Sequence, residues 1–223
     1  MSLVSGCSEA DESIDSGAET GAVDTVAVDP ETVAEDVDEI VDRLNDYWSV
    51  ADAELGFEYQ PVPSSRVSDG TDGVTCDGAT VAADEVEGNA FVDGGCEEGI
   101  LIAYDPAYLG AGLARLEGTL SHEWGHVIQA QAADLDFSQD PDGLPIDSEL
   151  QADCFSGAWA AADADAGVAS LRSDLARAGD PDGVAVDEED AHGTGEERTI
   201  AFDLGFERGP AACISDLVDQ LPG

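Results

Sequence analysis

Between Pro30 and Gly56 the apolar residues Val33, Val37, Ile40, Val41, Leu44, Trp48 and Val50 recur at helical intervals among acidic ones. That period predicts an amphipathic helix, and Gly56 is placed to close it. The next stretch, from Tyr59 to Pro106, is punctuated by Gly, Pro and Asp and holds only short apolar pieces. Within it GILIAYDP reads most clearly as a strand, being β-branched and aromatic between turn residues. A small sheet with irregular loops is expected there, stapled by Cys76 with Cys96. From Ala107 the texture turns helical, with Leu116, Leu120, Trp124, Val127, Ile128 and Ala132 on one face. SQDPDGLPID breaks that pattern before a second helical stretch, SELQADCFSGAWAAADA, in which Ser148 is placed to cap the start. VASLRSDLARAG and GEERTIAFDLGFERG predict two further helices. The expected class is α+β: an N-terminal helix, a small sheet and a helical part. Residues 100 to 104 are expected to form a sheet edge to which an extended peptide can add.

The residues before this pattern are different. Residues 8 to about 30 are small, acidic and nearly free of large apolar side chains, so burial cannot offset their ordering entropy. Residues 1–30 are therefore read as a flexible tether and 31–223 as one domain.

Charge narrows the function. The chain carries 51 Asp and Glu against 7 Lys and Arg, a formal net charge of -44, and all the cations are arginine. Such a surface repels nucleic acid and anionic lipid, which argues against either as a main partner. It also repels itself at low ionic strength, so the composition fits adaptation to concentrated salt. An ordinary secreted acidic protein from a GC-rich genome is the other reading. No apolar run reaches the length that spans a bilayer.

Cysteines suggest a compartment. Val4-Ser5-Gly6-Cys7 resembles a bacterial lipobox, in which the cysteine becomes the lipid anchor. The apolar segment that precedes a lipobox is missing, which reads as a trimmed chain with an added Met-Ser-Leu start. With Cys7 set aside, Cys76, Cys96, Cys154 and Cys213 remain, an even number suited to two disulfides outside the cytoplasm. The expected location is therefore extracytoplasmic, either anchored to the membrane through Cys7 or secreted.

The candidate chemistry lies in GTLSHEWGHVIQAQA. His122 and His126 are two of only three histidines and stand four apart in a helical segment. On one helix face they can offer two imidazole nitrogens to one ion, while Glu123 sits one residue round. That is the HExxH arrangement, in which the glutamate serves a zinc-activated water as base. A pair of satisfied structural histidines is the bland alternative. A catalytic zinc needs a third protein ligand, for which His192 and a carboxylate on the following helix are candidates. Glu149 fits that second description, and Asp153, one turn later, is placed to orient a ligating imidazole.

At these residues the chain resembles the bacterial neutral zinc metallopeptidase family, on HEWGHVIQ, ELQADCFSGAWA and AHGTGEER in that order. Weaker likeness upstream, at DYW, GFEYQPV and AYDPAYL, extends it over most of residues 40 to 215. The resemblance implies a zincin-like fold, His122, His126 and Glu149 as ligands of Zn2+, and Glu123 as general base. It also implies that Cys154 pairs with Cys213. VDGGCEEG around Cys96 and the acidic loop before His192 depart from the family pattern, which bears on the substrate-facing edge. The activity implied is hydrolysis of a peptide bond in a peptide or protein substrate. His192 is the candidate oxyanion donor and Arg198 a weaker one. The alternative for His192 is a loop residue that caps the last helix. A non-catalytic surface or structural protein that retains zinc is the rival function. SQDPDGLPIDSE and AGDPDGVAVDEE each imitate half of an EF-hand loop, yet Ser138 and Ala178 stand where the first acid belongs.

Overall fold

The computed structural model describes residues 30–217 except 78, 88–89, 107–112, 133–143, 182–183 and 185–190. Residues 1–29 of the tether, with Cys7, and half or slightly more of each EF-hand-like stretch lie outside the described residues.

Helix α1 (Pro30–Leu55) follows the apolar stripe, burying Val33, Val37, Ile40, Val41, Leu44 and Trp48. Val50 falls off that stripe and is 77% exposed, while Ala51 takes the inward position. Gly56, at a φ of 79°, ends the helix. Its N–H donates to the Asp52 carbonyl at 2.9 Å.

The middle of the chain forms two small sheets from β1 (Val67–Asp69), β2 (Val74–Cys76), β3 (Ala79–Val81), β4 (Ala90–Asp93) and β5 (Leu101–Tyr104), with a short helix α2 (Ala83–Val86) before β4. In the larger sheet the order is β1-β5-β4, with β5 parallel to β1 and antiparallel to β4. Residues 100 to 104 are thus not an edge. Every residue of β5 is buried, which is why so apolar a segment takes the central place. The edges are β1 and β4. A disulfide joins Cys76, at the end of β2, to Cys96, just past β4.

The helical half holds α3 (Leu113–Gln131), α4 (Pro145–Ala162), α5 (Val168–Arg177), α6 (Gly195–Arg208) and the short α7 (Ala212–Ser215). Together these elements make a mixed α+β structure, mostly helical among the described residues. Helix α4 lies at its centre, with every residue from Glu149 to Ala160 buried. It packs on α3 on one side and α6 on the other. Contact with α6 is backbone-close, since a Cβ on Gly205 would stand 1.8 Å from the Cys154 carbonyl oxygen. The Cys154–Cys213 disulfide ties α4 to α7. Ser148 does not cap α4. The helix begins a turn earlier at Pro145, whose fixed φ suits the first helical position, and Asp147 accepts the Leu144 N–H at 3.0 Å.

Candidate metal centre

Helix α3 presents two kinds of face. Its apolar face, with Leu116, Leu120, Trp124, Val127 and Ile128, is buried in the core. Trp124 Nε1–H donates to the Tyr59 hydroxyl at 2.7 Å, and that hydroxyl donates to Asn45 Oδ1 on α1 at 2.7 Å. The indole between the two histidines thus pins the helix from behind. On the other face Gly125 lets α4 approach: a Cβ there would lie 2.5 Å from Ala152 Cα. Ala152 lies between Glu149 and Asp153, so this contact brings both carboxylates up to the two imidazoles.

His122, His126 and Glu149 each offer one ligand atom, and these atoms lie within 4.8 Å of one another. His122 Nε2 is 3.2 Å from Glu149 Oε2, and His126 Nε2 is 3.4 Å from Oε1. Donors about 2.0–2.1 Å from a tetrahedral zinc stand roughly 3.3 Å apart, so the spacing suits a small cation.

The ring orientations support the same conclusion. His122 Nδ1 is 2.7 Å from Asp153 Oδ1, and His126 Nδ1 is 2.8 Å from Gln129 Oε1. Both partners are acceptors, so each Nδ1 carries its proton and each Nε2 is left as the donor atom for a metal. Two bare imidazole lone pairs aimed at one carboxylate repel it; protons or a cation must intervene. In the metal-free chain protons do so. Burial opposes charging of His122, but Asp153 and Glu149 outweigh it and raise its pKa to about 10. His126 is raised as well, against burial, chiefly by Glu149. Glu149 is held well below the usual carboxylate range despite its burial, because both histidines face it. The cluster can therefore hold a metal ion in place of those protons.

Around it, Glu123 is buried, and burial raises its pKa although His126 and His122 pull the other way. A carboxylate so placed suits proton transfer. Asp153 is held as a carboxylate behind His122, below the usual range despite burial, by Arg198 and His122. Arg198 is engaged by Asp153 and a backbone carbonyl. Its Nε and Nη2 donate to Asp153 at 2.8 and 3.0 Å, and its Nη1 donates to the Ala178 carbonyl at 3.2 Å. The guanidinium therefore braces Asp153, gripping both its oxygens and sharing Oδ1 with the His122 imidazole.

His192 reaches the cluster, with Nε2 3.7 Å from Glu149 Oε2, but falls outside the set of mutually close ligand atoms. It does not cap α6. Thr194 does, its hydroxyl accepting from the Glu197 N–H while Glu197 accepts from the Thr194 N–H. The His192 and Gly193 N–H groups donate to Asp180 Oδ2 at 2.7 and 3.0 Å. Asp180, from the second EF-hand-like stretch, thus holds the His192 loop in place.

Sequence reading missed Gln129 and Gln151, both buried polar residues beside the site. The available signal was spacing: Gln129 lies three residues after His126 on the same face. Another close group, Cys76, Asp93 and Cys96, has its two sulfurs joined in a disulfide and offers no thiolate. No family model, curated protein or solved structure matches this chain.

Proposed function

We propose that this chain is a zinc-dependent peptide-bond hydrolase with a zincin-like site, related in its motifs to the bacterial neutral zinc metallopeptidases. The observation that carries the reading is the convergence of His122, His126 and Glu149, their ligand atoms within 4.8 Å of one another, beside a buried Glu123. A bound zinc would supply a Lewis acid for the scissile carbonyl and would acidify a water. His122, His126 and Glu149 would hold it. Glu123 takes the proton of the attacking water and passes it to the leaving amine. His192, beside the cluster and outside the ligand set, is positioned to donate to the oxygen on which charge develops. Edge strand β4 packs against α3, and just past its end a Cβ on Gly94 would meet the Ala130 Cβ at 2.9 Å. That makes β4 the strand available to an extended peptide, in place of β5.

The two disulfides favour a setting outside the cytoplasm. Anchoring through Cys7 belongs to the same proposal. The rival, a non-catalytic protein that keeps zinc for structure, would enlist His192 as a fourth ligand, and its nearness to Glu149 favours weighing it. Glu123→Gln separates the two readings. Loss of peptide hydrolysis with zinc still bound supports the enzyme; equal hydrolysis by the variant would refute the assigned base.

A further inference from the structure

We propose that Gln129 is a positioning residue for the metal ligands, fixing which nitrogen of His126 faces the ion and clamping α4 at the residue before Glu149. The inference rests on the metal-site reading above. Gln129 is buried on α3, nearly one turn beyond His126. Its Nε2 donates to the Ser148 carbonyl at 2.8 Å and to Gln151 Oε1 at 3.0 Å, and its Oε1 lies 2.8 Å from His126 Nδ1.

The direction of each bond follows from what each partner can do. A backbone carbonyl only accepts, so the nitrogen end of the Gln129 amide must face Ser148. Its oxygen then faces His126 and can only accept, so Nδ1 of His126 must donate. The other ring nitrogen, Nε2, is thereby committed to the cluster. Gln151 repeats the pattern, its Nε2 donating to the Cys213 carbonyl at a longer 3.5 Å and leaving its oxygen for Gln129. The two amides are thus polarised in one sense, from fixed carbonyls toward the imidazole. A flipped Gln129 would set oxygen against the Ser148 and Gln151 oxygens, losing both donations of its amide nitrogen.

The same amide therefore acts on two ligands. It orients His126 directly, and through Ser148 it fixes the start of the turn that carries Glu149. A residue that merely filled space between α3 and α4 would stabilise the fold without governing a ring proton.

Three histidines make the test readable in the full chain. With histidine labelled by nitrogen-15, the Nδ1 proton of His126 is followed by NMR in metal-free and zinc-loaded protein, and zinc Kd is measured by chelator competition. Wild type is expected to show a slowly exchanging Nδ1 proton on His126 in both forms. In Gln129→Met that proton should exchange faster, and Kd should rise about 10–100-fold. Gln129→Glu should keep the slow proton, since its carboxylate still accepts, while losing the bond to Ser148. A folded Gln129→Met with wild-type Kd and an unchanged His126 proton overturns the proposal. Where Gln129→Met does not fold, Gln129→Asn, whose amide is one carbon too short to span Ser148 and His126 together, decides: faster exchange at His126 supports the proposal, and an unchanged proton and Kd overturn it. If wild type bound no zinc, the metal reading would fall, while the metal-free Nδ1 proton would still decide the role of Gln129.

Discussion

His122 and His126 stand one turn apart on α3 and direct Nε2 at the same carboxylate, but different chemistry holds each from behind. Behind His122 is an ion: Asp153, itself gripped in a fork by Arg198. Behind His126 is a neutral amide, Gln129, followed by a second amide and a backbone carbonyl. A carboxylate behind an imidazole makes it a stronger base and ligand, at the cost of burying a charge pair. An amide orients the ring with no buried charge. The charged side should therefore govern stability and proton affinity, and the neutral side should govern geometry alone.

The largest effect is expected where the two sides meet. Glu149→Ala removes the carboxylate that both imidazoles face, and zinc Kd by chelator competition should rise by more than the roughly 100-fold that losing an orienting residue costs. Wild-type affinity in that variant would show that the ligand set is misassigned.

Next comes the charged side. Asp153→Ala strands the buried Arg198, and denaturant titration should show a loss of about 3–5 kcal/mol. Kd should rise about 10–100-fold in the folded fraction. An unaltered unfolding midpoint would mean that the pair contributes nothing to the fold.

Proton competition distinguishes the sides further. In the metal-free protein His122 has its pKa raised from 6.5 to about 10. A raised histidine pKa stabilises the folded state fully below pH 6.5, and that contribution is lost as pH climbs through about 10. Metal must displace the same proton, so zinc affinity should rise with pH across this window, about tenfold per unit for each proton released. Asp153→Asn should flatten that dependence and Gln129→Met should leave its slope intact. Equal flattening by both, in a calorimetric pH series, would contradict the division of roles.

The smallest change is expected at Gln151, two steps from the metal. Gln151→Met leaves the Cys213 carbonyl without this donor and Gln129 without one acceptor, worth about 1–3 kcal/mol. Kd should shift by less than in Gln129→Met. A larger shift would place the critical brace on α4 instead.

Which of these features could be read from sequence depended on how local they are. His122, His126 and Glu123 follow from spacing on one helix, and Glu149 with Asp153 from spacing on the next. The stripe of α1 and its Gly56 stop are equally local, although Val50 was counted inward where Ala51 belongs. Ser148 imitates a cap because a serine inside a first turn resembles one, whereas Pro145 and Asp147 start α4 earlier. Strand order is a long-range property: nothing in GILIAYDP says that a strand from Val67 to Asp69 will cover its other side. The same holds for Arg198, whose partner Asp153 is 45 residues away. Spacing after His126 hints at Gln129, but its partners and Gln151 become legible only once α3 and α4 are seen in contact.

Metal content of the full chain, purified in concentrated salt and measured by elemental analysis, tests the central claim most directly. The site as built predicts one zinc per chain. Folded protein that holds no zinc, even after zinc is supplied, would contradict it.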